Sequence, residues 1–277
     1  MKTYKPTSPS RRNMTGLPYR ELLTETKPYK PLTGHIKSHA GRNHRGVITV
    51  RHQGGGVKQL YRFVDFKQDK MNVPGKVLTI ERDPYRNGFI ALIQYKDGEK
   101  RYILAVKDLK VGDEIVTSET APIKAGNRMK LISIPIGTFV SNVELRANGG
   151  GKLARSAGAY AEVLAHEGPL TTLKLGSKEV RKVSSQGFAT VGQMSNPDYT
   201  LLQIGKAGRS RWMGIRPTVR GSVMNPVDHP YGGGEGKQPR GTRRPKTAWG
   251  KITGGRKTRR PKKWSNKLIL SRRPKVR

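Results

Sequence analysis

The sequence predicts a mainly β protein, with two small barrels in the middle of the chain and long basic extensions at its ends. Three observations predict this. Short runs rich in β-branched and aromatic residues recur between turn residues through the middle of the chain. Charge falls into three regimes, net +10 over residues 1–60, +6 over 61–204 and +20 over 205–277, against +36 overall. Aromatic content is 6%, and 33 Gly and 18 Pro stand among 277 residues, so apolar side chains cannot fill a core along the whole length.

The first strand set reads LYRFVDF (60–66), KVLTIER (76–82), GFIALIQY (88–95) and KRYILAV (100–106). Between the last two lies Lys96-Asp97-Gly98-Glu99, where Asp-Gly marks a hairpin because glycine tolerates positive φ. The second set reads TFVSNVEL (138–145), AYAEVLAHEG (159–168), TTLKLG (171–176), EVRKVSS (179–185) and GFATVGQM (187–194), with a tight turn at Gly176-Ser177-Lys178. Many short strands with frequent turns suit barrels, which close their sheets and leave no exposed edge. APIKAGNRMK (121–130) is the expected junction, giving a basic extension over 1–60, barrels over 61–125 and 126–204, and a second basic extension over 205–277. A short helix is expected near 205–213. PSRRNMTG, GGRKTRRPKKW and SRRPKVR mix Pro and Gly with close charges, so they favour neither helix nor strand and are expected to order on a partner.

A chain with 55 Lys and Arg against 19 Asp and Glu needs a polyanion, and nucleic acid is the usual one. A membrane partner is not expected, because no run approaches the roughly 18 apolar residues of a spanning helix, and no secretory signal stands within residues 1–20. There are 0 Cys, which excludes disulfides and thiolate zinc sites and suits a reducing, cytoplasmic location.

Enzyme readings fail on spacing. Four glycine-rich stretches could cradle phosphate: GGGVK (54–58), GGGK (149–152), GGGEG (232–236) and TGGR (253–256). None continues as the Gly-Lys-Ser/Thr of a nucleotide-hydrolysing loop, and every Gly-Lys pair, including Gly236-Lys237, lacks the upstream glycine and the following hydroxyl. His35, His39 and His44 lack a carboxylate or thiolate companion, His166-Glu167 lacks a second histidine, and Ser156 in LARSAG lacks the first glycine of a nucleophile elbow. His229 in NPVDHPYGGGEG, with Asp228 beside it, is the remaining candidate base. Adjacent residues in an irregular segment rarely face one another, however. Pro226 and Pro230 stiffen this loop while Gly232, Gly233 and Gly234 let backbone pass closely, so an RNA-packing loop is the better reading.

The motifs YKPTSPSRRNMT, GRNHRG, RHQGGGVKQLYRFVDF, ERDPYRNGFIALIQY, GGGKLARSAGAYAEVLAHEG, GKAGRSRWMGIRPTVRGSVMNPVDHP and GGGEG, in this order, resemble the bacterial form of the universal L-two family of large-subunit ribosomal proteins. The resemblance implies an oligonucleotide-binding-like barrel followed by an SH3-like barrel, with both extensions ordered by RNA. It implies a primary binder of large-subunit rRNA that supports assembly, subunit association through a bridge to the small subunit, and tRNA binding near the peptidyl transferase centre. RNA-binding roles carry over to Arg86 in DPYRNG and Arg155 in LARSAG. The stretch Asn225, Asp228, His229, Tyr231 and Gly232 to Gly234 corresponds to the segment near that centre, whose chemistry is expected to belong to rRNA. The family usually places His after DHP. Here Tyr231 stands instead, and it cannot titrate near neutrality.

Arg216 and Arg220 are also expected to bridge phosphates, because a planar guanidinium matches two oxygens. Trp212, Trp249 and Trp264 are expected to stack on bases or riboses, Trp212 alternatively packing on the second barrel. No intrinsic cofactor is expected, with magnesium or potassium ions at the RNA interface at most. Neighbouring ribosomal proteins and, indirectly, tRNA complete the expected partners. If about eight phosphates are neutralised, log affinity should fall against log salt with a slope of roughly −6 to −7. Two rivals stand against an rRNA-binding protein: a free-standing enzyme using His229, and a nonspecific DNA-compacting protein.

Overall fold

A computed structural model describes residues 1–235 and 241–274. Gly236 of GGGEG, its neighbour Lys237 and the last residues of SRRPKVR lie outside the described residues. The fold is mainly β, with two curled sheets in the order expected, oligonucleotide-binding-like and then SH3-like.

The first sheet holds β1 (Gly75–Arg82), β2 (Phe89–Tyr95), β3 (Lys100–Leu104) and β4 (Glu114–Ile115), ordered β3-β2-β1-β4 and antiparallel throughout. A register shift between Val77 and Thr79 curls β1 around β2. The Asp-Gly hairpin forms where the sequence places it: the Tyr95 amide donates to the Glu99 carbonyl at 2.9 Å, and Gly98 takes φ of 85°.

Strand β2 is buried on both faces, which explains its unbroken apolar run. Phe89, Ala91 and Ile93 pack with Val77, Ile103 and Ile115, while Ile90 and Leu92 pack with Tyr102, Leu104 and Met194. Tyr29 and Leu32, from the basic N-terminal stretch, help cover the second face. Tyr102 donates to Glu81 and accepts from the Tyr29 amide, both at 2.8 Å, so a buried phenol fastens that stretch to the sheet. Burial pushes the Glu81 carboxyl above its ordinary range, opposed by the hydroxyls of Tyr102 and Thr79.

LYRFVDF is not the continuous strand expected. Only Tyr61–Arg62 is extended, pairing with Thr33–Gly34, and Val64 makes a single parallel bridge to Tyr102. The Asp65 carboxylate accepts from the amides of Lys67 and Gln68, at 2.9 and 2.8 Å, and turns the chain away from the sheet.

The second barrel holds β5 (Arg128–Lys130), β6 (Phe139–Ser141), β7 (Val143–Glu144), β8 (Gly151–Leu153), β9 (Ala161–Glu167), β10 (Leu170–Leu175), β11 (Val180–Ser184), β12 (Phe188–Val191) and β13 (Ile269–Ser271). The main sheet runs β13-β11-β10-β9-β6-β12-β5, and β7 pairs separately with β8. TFVSNVEL is broken at Asn142, whose φ of 47° redirects the chain from one sheet to the other. Met129, Leu131, Ile134, Val140, Val163 and Leu173 form the interior.

Inside it lies a pair no periodicity announces. Arg128 and Glu144 are buried, with Nη2 to Oε1 at 3.0 Å, and Arg128 Nη1 also donates to the Asn142 carbonyl at 2.9 Å. Burial lowers the pKa of the Arg128 guanidinium while Glu144 pulls it back up.

The basic tracts are more regular than expected. Pro9–Arg12 is a short helix, with Pro9 at a position where its missing N–H costs nothing. The Ile269–Ser271 segment, entering SRRPKVR, joins β11 as an edge strand because LIL precedes the charges. The helix expected near 205–213 forms as α1 (Ala207–Trp212).

By contacts the chain divides into two compact units. One holds Met1–Lys37, Lys58–Ala207 and the residues from Lys267, and includes both barrels. The other is made of residues 38–57 and 208–266. Its described residues contribute no apolar side chain to the buried set; only His229 and Ser265 are buried. Its frame is backbone: Gly54 and Val57 amides donate to Gly214 and Trp212 carbonyls at 2.9 and 3.1 Å, and the Arg216 amide to His52 at 3.0 Å. Among the described residues no helix is long and apolar enough to cross a membrane.

Candidate nucleic-acid interface

In the barrel unit, two arginines meet one ring. Arg86 follows β1, in a turn where the buried Asp83 carboxylate accepts from the Tyr85 amide at 2.8 Å and pairs with Arg86 Nε at 2.9 Å. Arg155 follows β8, next to Ala154 in the left-handed region at φ of 51°. Their guanidinium carbons lie over the Phe66 ring at 5.3 Å for Arg86 and 4.7 Å for Arg155, cation–π range. Phe66 also accepts, through its carbonyl, from the Gly151 amide at 2.9 Å. The first barrel's approach segment is thereby joined to the second barrel.

Around these groups lie two open depressions, of about 360 and 600 Å³. Phe66 and Arg155 line both; the smaller adds Tyr85, Arg86, Asn87 and Ser156, the larger Lys67, Lys152 and the glycines of GGGK. A built Cβ on Gly151 would lie 1.9 Å from Asn142 Oδ1, so this glycine is required by the chain's own packing.

The loop of the other unit that carries His229 is closed on itself. The amides of Asp228 and His229 donate to the Asn225 carbonyl at 3.0 and 3.3 Å, and the Gly233 amide to Met224 at 3.0 Å. A Cβ on Gly232 would lie 2.1 Å from the Asn225 oxygen, and Gly233 has φ of 85°. The close approach these glycines permit is to their own loop. His229 is buried against Gly221, where a Cβ would fall 2.5 Å from the ring. Its Nδ1 accepts from the Tyr231 amide at 3.1 Å, placing the ring proton on Nε2, and it is this amide rather than Asp228 that orients the imidazole. The Tyr231 ring centroid is 5.0 Å from that of His229, and its hydroxyl accepts from the Lys246 amide and from Thr242. Asn225, Pro226, Asp228 and Pro230 are exposed, and Val227 at the apex is 97% exposed.

Arg216, Arg220 and Gly234 are exposed. Trp249 is 75% exposed at the tip of a hairpin closed by the Thr247 amide on the Lys251 carbonyl, with Gly250 at φ of 71°. Trp212 and Trp264 are 57% and 56% exposed. His166 is a structural residue, bonded through its two ring nitrogens to Thr171 and to the Ile134 carbonyl. Among the described residues no three His, Asp or Glu side chains gather as a metal site.

Two family models match in tandem: Ribosomal Proteins L2, RNA binding N-terminal domain, over residues 29–117, and Ribosomal Proteins L2, C-terminal domain, over residues 124–250. Together they cover well over half of the chain. It belongs to the ribosomal protein L2 family. The first match contains Phe66 and Arg86, and the second contains Arg155 and the His229 loop. As a member of this family it is a structural, RNA-binding protein of the large ribosomal subunit and takes part in translation.

Sequence reasoning singled out Arg86 and Arg155 and missed Phe66, Asp83 and Gly221. Phe66 was hidden in a run of β-branched and aromatic residues that reads as a strand, and it also packs partly against the first barrel. The signal that could have found Asp83 is its spacing three before Arg86 in a turn, which permits an ion pair. Gly221 has no sequence signal, because the ring it accommodates comes from eight residues further along.

Proposed function

We propose that the chain is a primary rRNA-binding constituent of the large subunit that supports assembly, subunit association through a contact to the small subunit, tRNA binding and the architecture around the peptidyl transferase centre. The observation that carries the RNA-binding part is the convergence of Arg86 and Arg155 on Phe66 beside two open depressions. A guanidinium stacked on a ring keeps its N–H edge available for phosphate oxygens. Exposed Arg216 and Arg220 add phosphate contacts, and Trp212 and Trp249 offer stacking faces. Specificity comes from RNA shape, because A-form helices hide their base edges.

In this reading the loop from Asn225 to Gly234, with Asp228, Tyr231, Gly232 and Gly233, lies near the peptidyl transferase centre as a shaped wall. Burial of His229 against Gly221, and its commitment to the Tyr231 amide, support a structural imidazole over a general base, which needs a positioned substrate. The protein is then no enzyme, and the nearby chemistry is carried by rRNA. The reading assigns it no intrinsic cofactor, with magnesium or potassium ions held at the RNA interface. It places the protein in cytoplasmic ribosomes beside neighbouring ribosomal proteins. The working division is 1–60, 61–125, 126–204 and 205–277, the outer segments ordered by RNA.

Footprinting on large-subunit rRNA with duplex DNA as competitor tests the reading. A discrete footprint that excess DNA does not erase is expected. Equal competition by DNA would reject it in favour of a nonspecific DNA-compacting protein.

A further inference from the structure

We propose that Phe66 is a positioning residue for RNA binding: its ring gathers Arg86 from the first barrel and Arg155 from the second so that Arg155 presents its N–H edge, and Arg86 its Nη2, to one backbone phosphate. The inference rests on the RNA-binding reading above and goes beyond it by assigning the pairing of the two arginines to an aromatic side chain that touches no RNA charge.

Two guanidinium groups near one ring repel each other, and the compensation is unequal. Arg86 is largely buried: its Nε pairs with the buried Asp83 and its Nη1 is buried without a partner, which leaves Nη2 as the N–H it can offer. Arg155 has no acidic partner among the described residues and is exposed. The site therefore carries an uncompensated positive charge next to an open depression lined by both arginines. A phosphate is the anion such a planar fork matches. Without the ring, Arg155 would sample many rotamers; stacked, it has already lost that freedom before RNA arrives. The Phe66 carbonyl, held by the Gly151 amide at 2.9 Å, fixes the ring relative to the β8 strand that leads to Arg155. A phosphate bound here thus senses both barrels at once.

The test uses the full chain and a large-subunit rRNA fragment, with affinity measured at fixed salt. Phe66 is replaced by leucine, by tyrosine and by pentafluorophenylalanine, which keeps the shape of the ring and reverses its electrostatic face. Phe66→Leu and the fluorinated ring are expected to weaken binding roughly five- to thirtyfold, and Phe66→Tyr to bind like the wild type. In an Arg86→Ala/Arg155→Ala background Phe66→Leu is expected to cost nothing further. The thermal unfolding midpoint of the fluorinated protein is expected to match the wild type, a result a merely structural ring would also give, so affinity is the deciding readout. Wild-type affinity with the fluorinated ring, or an undiminished Phe66→Leu effect in the double-alanine background, would overturn the proposal while leaving the RNA-binding reading in place. If the unaltered chain shows no preference for rRNA over duplex DNA, that reading fails and the proposal falls with it.

Discussion

In the barrels, Val77, Ile93, Ile103, Leu131, Ile134 and Leu173 are at most 1% exposed, whereas in the unit of residues 38–57 and 208–266 Val47, Trp212, Val219, Val223 and Val227 are all more than 50% exposed. The barrels exclude water with apolar side chains, their own and those of the N-terminal stretch such as Tyr29 and Leu32. The other unit is held mainly by hydrogen bonds and glycine turns, and among its described residues only His229 and Ser265 are buried. The two units are therefore held by different forces. Burial of apolar area, at about 25 cal/mol per Å², stabilises the barrels, while the second unit rests on hydrogen bonds of about 1 kcal/mol net each.

The largest effect should come from the barrel interior. Glu144→Ala strands the Arg128 guanidinium without its carboxylate, and an uncompensated buried charge costs about 3–5 kcal/mol. Urea unfolding followed at the barrel signal should show that loss, and a loss below about 1 kcal/mol would mean that the interior admits water.

Gly221→Ala, by contrast, should disturb only the second unit. The added methyl meets His229 at 2.5 Å, enough to displace the ring and lose about 1–3 kcal/mol of local order. Histidine NMR signals should shift while the barrel unfolding midpoint stays in place. A matching fall in that midpoint would show that the two units melt together and would erase the contrast.

A smaller, pH-linked effect is expected at Glu81. Its pKa is raised by burial above the ordinary 4.5, so the folded state binds the proton more tightly than the unfolded chain does. Stability from this group is therefore fully present below 4.5 and declines as pH rises through the folded value. Glu81→Gln removes that decline, so its stability relative to the wild type should improve with rising pH across this window. Parallel profiles would dismiss the assignment.

Tyr231→Phe should have the smallest effect, about 1 kcal/mol or less, because it removes one hydroxyl that accepts from the Lys246 amide and Thr242. Amide exchange at Lys246 should quicken and barrel stability should not change.

Much of this was legible in the sequence, for physical reasons. GFIALIQY and TTLKLG announce strands because their residues are β-branched or apolar in runs that fit a sheet, and Asp97-Gly98 announces its hairpin because few other pairs take that turn. LYRFVDF misled because its β-branched and aromatic residues favour a strand while Asp65 turns the chain by side-chain hydrogen bonds that propensity does not register. The arginines over Phe66 were legible one at a time. Their meeting was not, since residues 66, 86 and 155 come together only when both barrels have formed. The glycines of the His229 loop were visible as needed, but what needed them, the carbonyl of Asn225, appears only in three dimensions.

The contrast itself is tested most directly by amide hydrogen exchange on the full chain, free and bound to large-subunit rRNA. Strands β1 to β3 and β9 to β12 are expected to be protected in both states. Residues 208–235 and 241–266 should gain protection only with RNA. Equal protection of those residues in the free protein would contradict it, because that unit would then be ordered without its partner.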